Sequence, residues 1–224
     1  MDKFNKGNFV TLLLLVSVIS LSSYYGCSSG NNAKEKAEEK IMGISKSEVQ
    51  LKTNMRKLWE DHVFWTRNVI FCITDGLPGA DQAVKRLLQN QTDIGDAIKP
   101  YYGEDAGKKL TSLLNPHITI AAEVVKAAKA GNKATLDEAS KRWNSNANEI
   151  SAFLSKANPN WPMADMKMMM DNHLKLTTDE AVQRIKKEYD ADIVAFEKVE
   201  EEILKMADML TDGIIKQFPE KFKN

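Results

Sequence analysis

The sequence predicts an all-α protein, an up-down bundle of about six helices built from repeated antiparallel helical hairpins. Three observations predict it. Apolar residues recur at helical spacing from about residue 48 onward. Breaker clusters fall at regular intervals between those stretches. The chain also matches itself when slid by 55 or 56 residues.

The first helix is expected over about 48–74, where Met55, Leu58, Trp59, His62, Val63, Thr66 and Val69 follow i, i+3, i+4, i+7. DGLPG (75–79) ends it, and a second is expected over about 79–99. PYYGED (100–105) precedes a third over about 104–130, whose stripe is Leu110, Leu113, Leu114, His117, Ile120 and Val124. Gly131-Asn132 separates it from a fourth over about 134–157. NPNWP (158–162) leads to a fifth over about 162–187, and a sixth covers about 190–217. No segment alternates in the manner of a strand.

The 56-residue shift pairs Asp81, Ala83, Lys85, Arg86, Asn90, Ile94 and His117 with Asp137, Ala139, Lys141, Arg142, Asn146, Ile150 and His173. A 55-residue shift pairs Met55, Leu58, Trp59 and His62 with Leu110, Leu113, Leu114 and His117. In an antiparallel hairpin, residues equidistant from the loop lie at one height. His62 and Asn90 centre on Gly76. Asn90 and His117 centre on Gly103-Glu104, His117 and Asn146 on Gly131-Asn132, and Asn146 and His173 on Pro159-Asn160. Continuing, His173 faces Glu201 or Glu202. The repeat thus predicts a buried polar layer of His62, Asn90, His117, Asn146 and His173.

Unpaired polar groups in a core cost roughly 1–3 kcal/mol each, so these groups are expected to bond with one another, with water or with a metal. One reading is a structural layer that fixes hairpin register. The competing reading is a transition-metal site for zinc, iron or copper, with His62, His117 and His173 as ligands and Asp93, Glu149, Glu202 or Glu201 as carboxylates. The methionines Met163, Met166, Met168, Met169 and Met170 precede His173. Three of them occupy the repeat positions of Leu110, Leu113 and Leu114, which marks them as core rather than as a copper box. Arg86 and Arg142 recur one turn before the asparagines, where ion pairing along the helix is the simplest role.

The N-terminal segment predicts a location. Lys3 and Lys6 precede the apolar run Phe9 to Leu21, which suits a secretion signal over 1–26 and is short for a membrane span. Gly26-Cys27 resembles the end of a bacterial lipobox, although Tyr24 and Tyr25 depart from its preferred residues. This resemblance implies an acylated Cys27. Residues 27–47 are small, polar and charged and read as a tether. The chain is then an extracytoplasmic, lipid-anchored lipoprotein of the cell envelope with its domain over 48–218. Cys72, among Val69, Ile70, Phe71 and Ile73, is expected as a buried inert thiol.

Composition excludes other classes. Thirty-one basic and 31 acidic residues leave no net charge, which argues against a nucleic-acid partner. Two cysteines build no disulfide framework. A glycine-rich phosphate loop after a strand and a nucleophile elbow are both missing. With LWEDHVFWTR (58–67) and the later His-centred repeats, the chain resembles a widespread group of small helical bacterial proteins, sometimes labelled automatically as kinase or glycosyltransferase. The resemblance covers roughly 48–218 and implies no settled activity. Either label would call for a nucleotide-binding α/β architecture, which an all-helical pattern does not offer. The leading expectation is a binding or interaction module at the cell surface.

Overall fold

The computed structural model describes residues 43–223. The signal segment 1–26, Cys27 and most of the tether lie outside the described residues. Six α-helices follow in order: α1 (Lys46–Asp75), α2 (Ala80–Tyr102), α3 (Glu104–Lys129), α4 (Lys133–Ala157), α5 (Met163–Lys186) and α6 (Tyr189–Gln217). A 3₁₀ turn (Pro219–Phe222) closes the chain. The described residues contain no strand.

Local chemistry explains the helix ends. Ser45 opens α1 with a capping box: its hydroxyl accepts from the Glu48 amide and the Glu48 carboxylate accepts from the Ser45 amide. Helix α1 therefore starts two residues inside the expected tether. Asn132 caps α4 by accepting from the Thr135 amide at 3.2 Å. Helix α2 runs on past Pro100 to Tyr102, farther than its breakers suggested. Gly103 alone connects α2 to α3, and its φ of 85° is one that a side chain would resist.

The helices close into a ring. Each packs on its neighbours in sequence, and α6 returns to pack on α1. In addition, α1, α3 and α5 touch one another, whereas α2, α4 and α6 meet mainly their flanking partners. The molecule is thus an inner triangle of parallel helices, α1, α3 and α5, with one antiparallel outer helix in each groove. This follows from the repeat: every hairpin contributes one inner and one outer helix, and only the inner one must bury a wide stripe.

Below the middle of the bundle, toward the chain ends, the core is filled by large side chains. Met55, Trp59, Leu110, Leu114, Met166, Met170, Met206 and Ile214 are all buried there. Met166, Met169 and Met170 are core residues, as their repeat positions predict, while Met163 and Met168 are exposed. This end is closed by Asn158, which donates to the Tyr102 hydroxyl at 2.9 Å; that hydroxyl donates to Gln217 Oε1 at 2.9 Å. Burial pushes the Tyr102 phenol up to about 12, which keeps it a donor. Trp161 lies flat over the backbone of α6 at Gly213. A Cβ built there would come within 2.0 Å of Trp161 Nε1.

Gly213→Ala should therefore destabilise the protein by about 1–3 kcal/mol, because a buried indole has nowhere to go. Urea unfolding of the two proteins checks this; equal midpoints would mean that Trp161 is not seated on α6.

Candidate functional site

At mid-height, each inner helix turns one imidazole toward the axis. His62 (α1), His117 (α3) and His173 (α5) are all buried. The ring centroids of His62 and His173 are 5.7 Å apart and those of His117 and His173 are 6.3 Å apart. The single tier expected from the hairpin midpoints therefore forms.

Each ring is held from the outer helix of its own hairpin, by a residue 29 positions later. His117 Nδ1 lies 2.8 Å from Asn146 Oδ1 on α4. The Asn146 amide also donates to the Leu113 carbonyl at 2.9 Å, which fixes its oxygen toward the ring. His173 Nδ1 lies 3.1 Å from Glu202 Oε2 on α6. His62 Nδ1 lies 3.2 Å from Gln91 Nε2 on α2.

The first hairpin divides between two residues what Asn146 does alone. Asn90 donates to the Leu58 carbonyl at 2.9 Å, the counterpart of the Asn146 bond to Leu113. Gln91 Nε2 donates to Leu87 O at 2.8 Å and to Asn90 Oδ1 at 3.1 Å. Gln91 was not anticipated. Its burial beside Asn90 is the signal that the first and second copies differ.

The direction of these bonds sets the tautomer. Asn146 Oδ1 and the Glu202 carboxylate only accept, so His117 and His173 carry hydrogen on Nδ1. Every hydrogen bond described for the three rings runs through Nδ1, leaving Nε2 on the far side. Burial, then the neighbouring imidazoles, hold His62 well below the usual histidine range. Burial and then His173 lower His117 to about 3. Both rings are neutral at pH 7, and His117, with its hydrogen on Nδ1, presents a lone pair at Nε2.

The tier divides two cavities. The lower, about 30 Å³, is walled almost entirely by apolar atoms, with Trp59, Met170 and Trp161 among them. The upper, about 250 Å³, lies between α1, α3, α4 and α5 and reaches the surface beside Asp137 and Thr178. The upper space exists because the stripes become small above the tier. Ala121, Ala122, Ala128 and Ala181 line it where the lower core has Leu and Met. Thr66 and Thr177, each one turn above a tier histidine, also face it. Thr66 donates to the His62 carbonyl at 2.8 Å, whereas buried Thr177 Oγ1 has no hydrogen-bond partner.

The expected carboxylates divide. Glu202 joins the tier. Glu201 is exposed and accepts from Lys205. Two expectations are corrected: Asp93 accepts from Gln89 on the outer face at 2.9 Å, and Glu149 is exposed. Both lie on stripes adjacent to the asparagine stripe, and that rotation carries them out of the core. Among the described residues, no group of three or more His, Cys, Asp or Glu side chains is arranged to hold a metal ion. Arg142 pairs with Glu138 one turn back and with Glu123 across the hairpin. Arg86 lies over the Trp65 ring at 5.3 Å. Cys72 is half-buried rather than buried.

A second polar cluster escaped the sequence reading. Arg67 (α1) donates to Glu180 (α5) at 2.6 Å and to Asp192 (α6) at 3.0 Å, and Arg184 bridges Asp192 and Asp75. Both guanidinium groups lie over the Phe71 ring. Glu180 and Asp192 are each only 1% exposed. Burial pushes Glu180 up to about 7, against the opposing pull of Arg67. The available signal was Glu180 itself, which stands where the earlier copies have Val69 and Val124.

Comparison with protein-family models, curated proteins and solved structures finds no match. Function must therefore be argued from the tier and its cavities.

The shifts predict opposite pH effects. An unfolded histidine titrates near 6.5. Below that pH the unfolded chain takes up protons that folded His62 and His117 refuse, so stability falls from about pH 6.5 downward. Glu180 acts the other way: between its unfolded value near 4.5 and about 7, the folded state holds the extra proton, and stability falls as pH rises. With two histidines against one carboxyl, net acid destabilisation is expected below about pH 6. Glu180→Gln should steepen it. Urea unfolding at pH 7, 5.5 and 4.5 measures both; a flat wild-type profile would contradict the assignment.

Proposed function

We propose that the chain is a lipid-anchored, extracytoplasmic binding protein of the cell envelope that holds a small, mainly apolar ligand in the upper cavity. The observation that carries the reading is the cavity itself. Cores close-pack, and voids wider than a water molecule are few in any domain. Here the space adjoins the polar tier and opens beside exposed residues. Its volume exceeds the roughly 150 Å³ that suffices for benzene, and points to a ligand of about ten heavy atoms. The signal run and Cys27 support the placement outside the cytoplasm, with residues 27–44 as the tether.

The experiment is a ¹⁹F NMR titration of the full chain with 4-fluorotoluene. Saturable binding at one site is expected. Ala122→Leu, which fills the cavity wall, should abolish it while the helical circular dichroism stays unchanged. Signal changes that never saturate, or that persist equally in Ala122→Leu, would reject the proposal.

A transition-metal protein is the second reading. The convergence of three buried imidazoles favours it, since a carboxamide or carboxylate on Nδ1 is the customary support for a metal-bound imidazole. Elemental analysis of untagged protein after reconstitution with zinc, iron and copper tests it. Near-stoichiometric metal, lost in His117→Ala, would support this reading; no retained metal would exclude it.

A further inference from the structure

The ligand's chemistry can be narrowed from the hydrogen atoms of the tier. The Asn146 carboxamide is locked by Leu113 O, so His117 donates through Nδ1. The Glu202 carboxylate imposes the same on His173. His117, neutral and with its hydrogen on Nδ1, therefore offers an acceptor at Nε2. One turn above it, Thr177 faces the same cavity, 5% exposed and without a hydrogen-bond partner. A buried hydroxyl left unpaired is costly, so a ligand able to pair with it recovers that cost.

We propose that the upper cavity takes a small alcohol or phenol. Its apolar body rests among Ile70, Leu87, Val125 and Ala181. Its hydroxyl donates to an imidazole Nε2 and accepts from Thr177 Oγ1. This assignment rests on the reading of the cavity as a ligand site.

Other head groups fit worse. A carboxylate would meet imidazole lone pairs with no cation among the lining residues, while Asp137 stands at the mouth. An ammonium would carry its charge into an apolar chamber at a large desolvation cost. A ketone or hydrocarbon would leave the ring nitrogens without a donor. A hydroxyl is both donor and acceptor, and matches an acceptor nitrogen beside a threonine hydroxyl.

The test compares 4-fluorophenol with 4-fluorotoluene, which differ only in OH against CH₃, by ¹⁹F NMR on the full chain at pH 7. The phenol should bind about fivefold tighter or more, since a site built to hydrogen-bond a hydroxyl rejects the analogue lacking it. Thr177→Val, which keeps the side-chain shape, should erase or reverse that preference without weakening the toluene. 4-Fluorobenzoate should not bind. Saturable binding of both neutral compounds with equal affinity overturns the hydroxyl assignment and leaves the cavity reading standing. Binding of neither overturns both. Tight binding of the benzoate, or a preference undiminished in Thr177→Val, also overturns the assignment.

Discussion

The hydrogen bond from each inner imidazole to its outer helix is the constraint on which the architecture rests. An imidazole in the core must pair its Nδ1 with a polar side chain, and within a hairpin only one height satisfies it. The constant separation of 29 residues, seen for His62–Gln91, His117–Asn146 and His173–Glu202, is that height written into the chain. Leucines at these positions would pack at several registers; a carboxamide also locked to a backbone carbonyl, as Asn146 is to Leu113, packs at one. Three hairpins so registered bring their rings to a common level, and that level separates a filled lower core from a hollow upper one.

The hollow follows from side-chain size rather than from any break in the helices. Below the tier the inner stripes carry Met55, Leu110 and Met166; above it they carry Thr66, Ala121 and Thr177. Short side chains on three helices that remain parallel leave volume between them. The outer helices hold the inner triangle open, because each touches two inner helices. Polar groups that the rings do not use then face a chamber of apolar walls, the arrangement expected of a small-molecule site.

Much of this was legible in the residues. Breakers and apolar spacing located all six helices to within a few residues. The 56-residue repeat placed His117, His173, Asn146 and Asn90 in the core, and hairpin midpoints placed them at one height. What escaped has a physical reason in each case. Gln91 replaces its neighbour at the His62 ring because one position along a helix is a 100° turn, which a long amide can span and a periodicity count cannot resolve. Asp93 and Glu149 were reasonable by height but lie on the wrong stripe. Arg67, Glu180 and Asp192 meet across three helices, and no local pattern announces a contact between residues more than a hundred positions apart.

That last cluster bears on traffic. The guanidinium of Arg67, clamped between two carboxylates of α5 and α6 and backed by aromatic rings, rivets the α6–α1 and α1–α5 seams along the upper half of the bundle. The α4–α5 seam has no such fastening and is the most sparsely packed junction of the ring, and it adjoins the cavity mouth beside Asp137 and Thr178. A guest entering the chamber would therefore meet the sparsest seam of the ring rather than the ion-paired one.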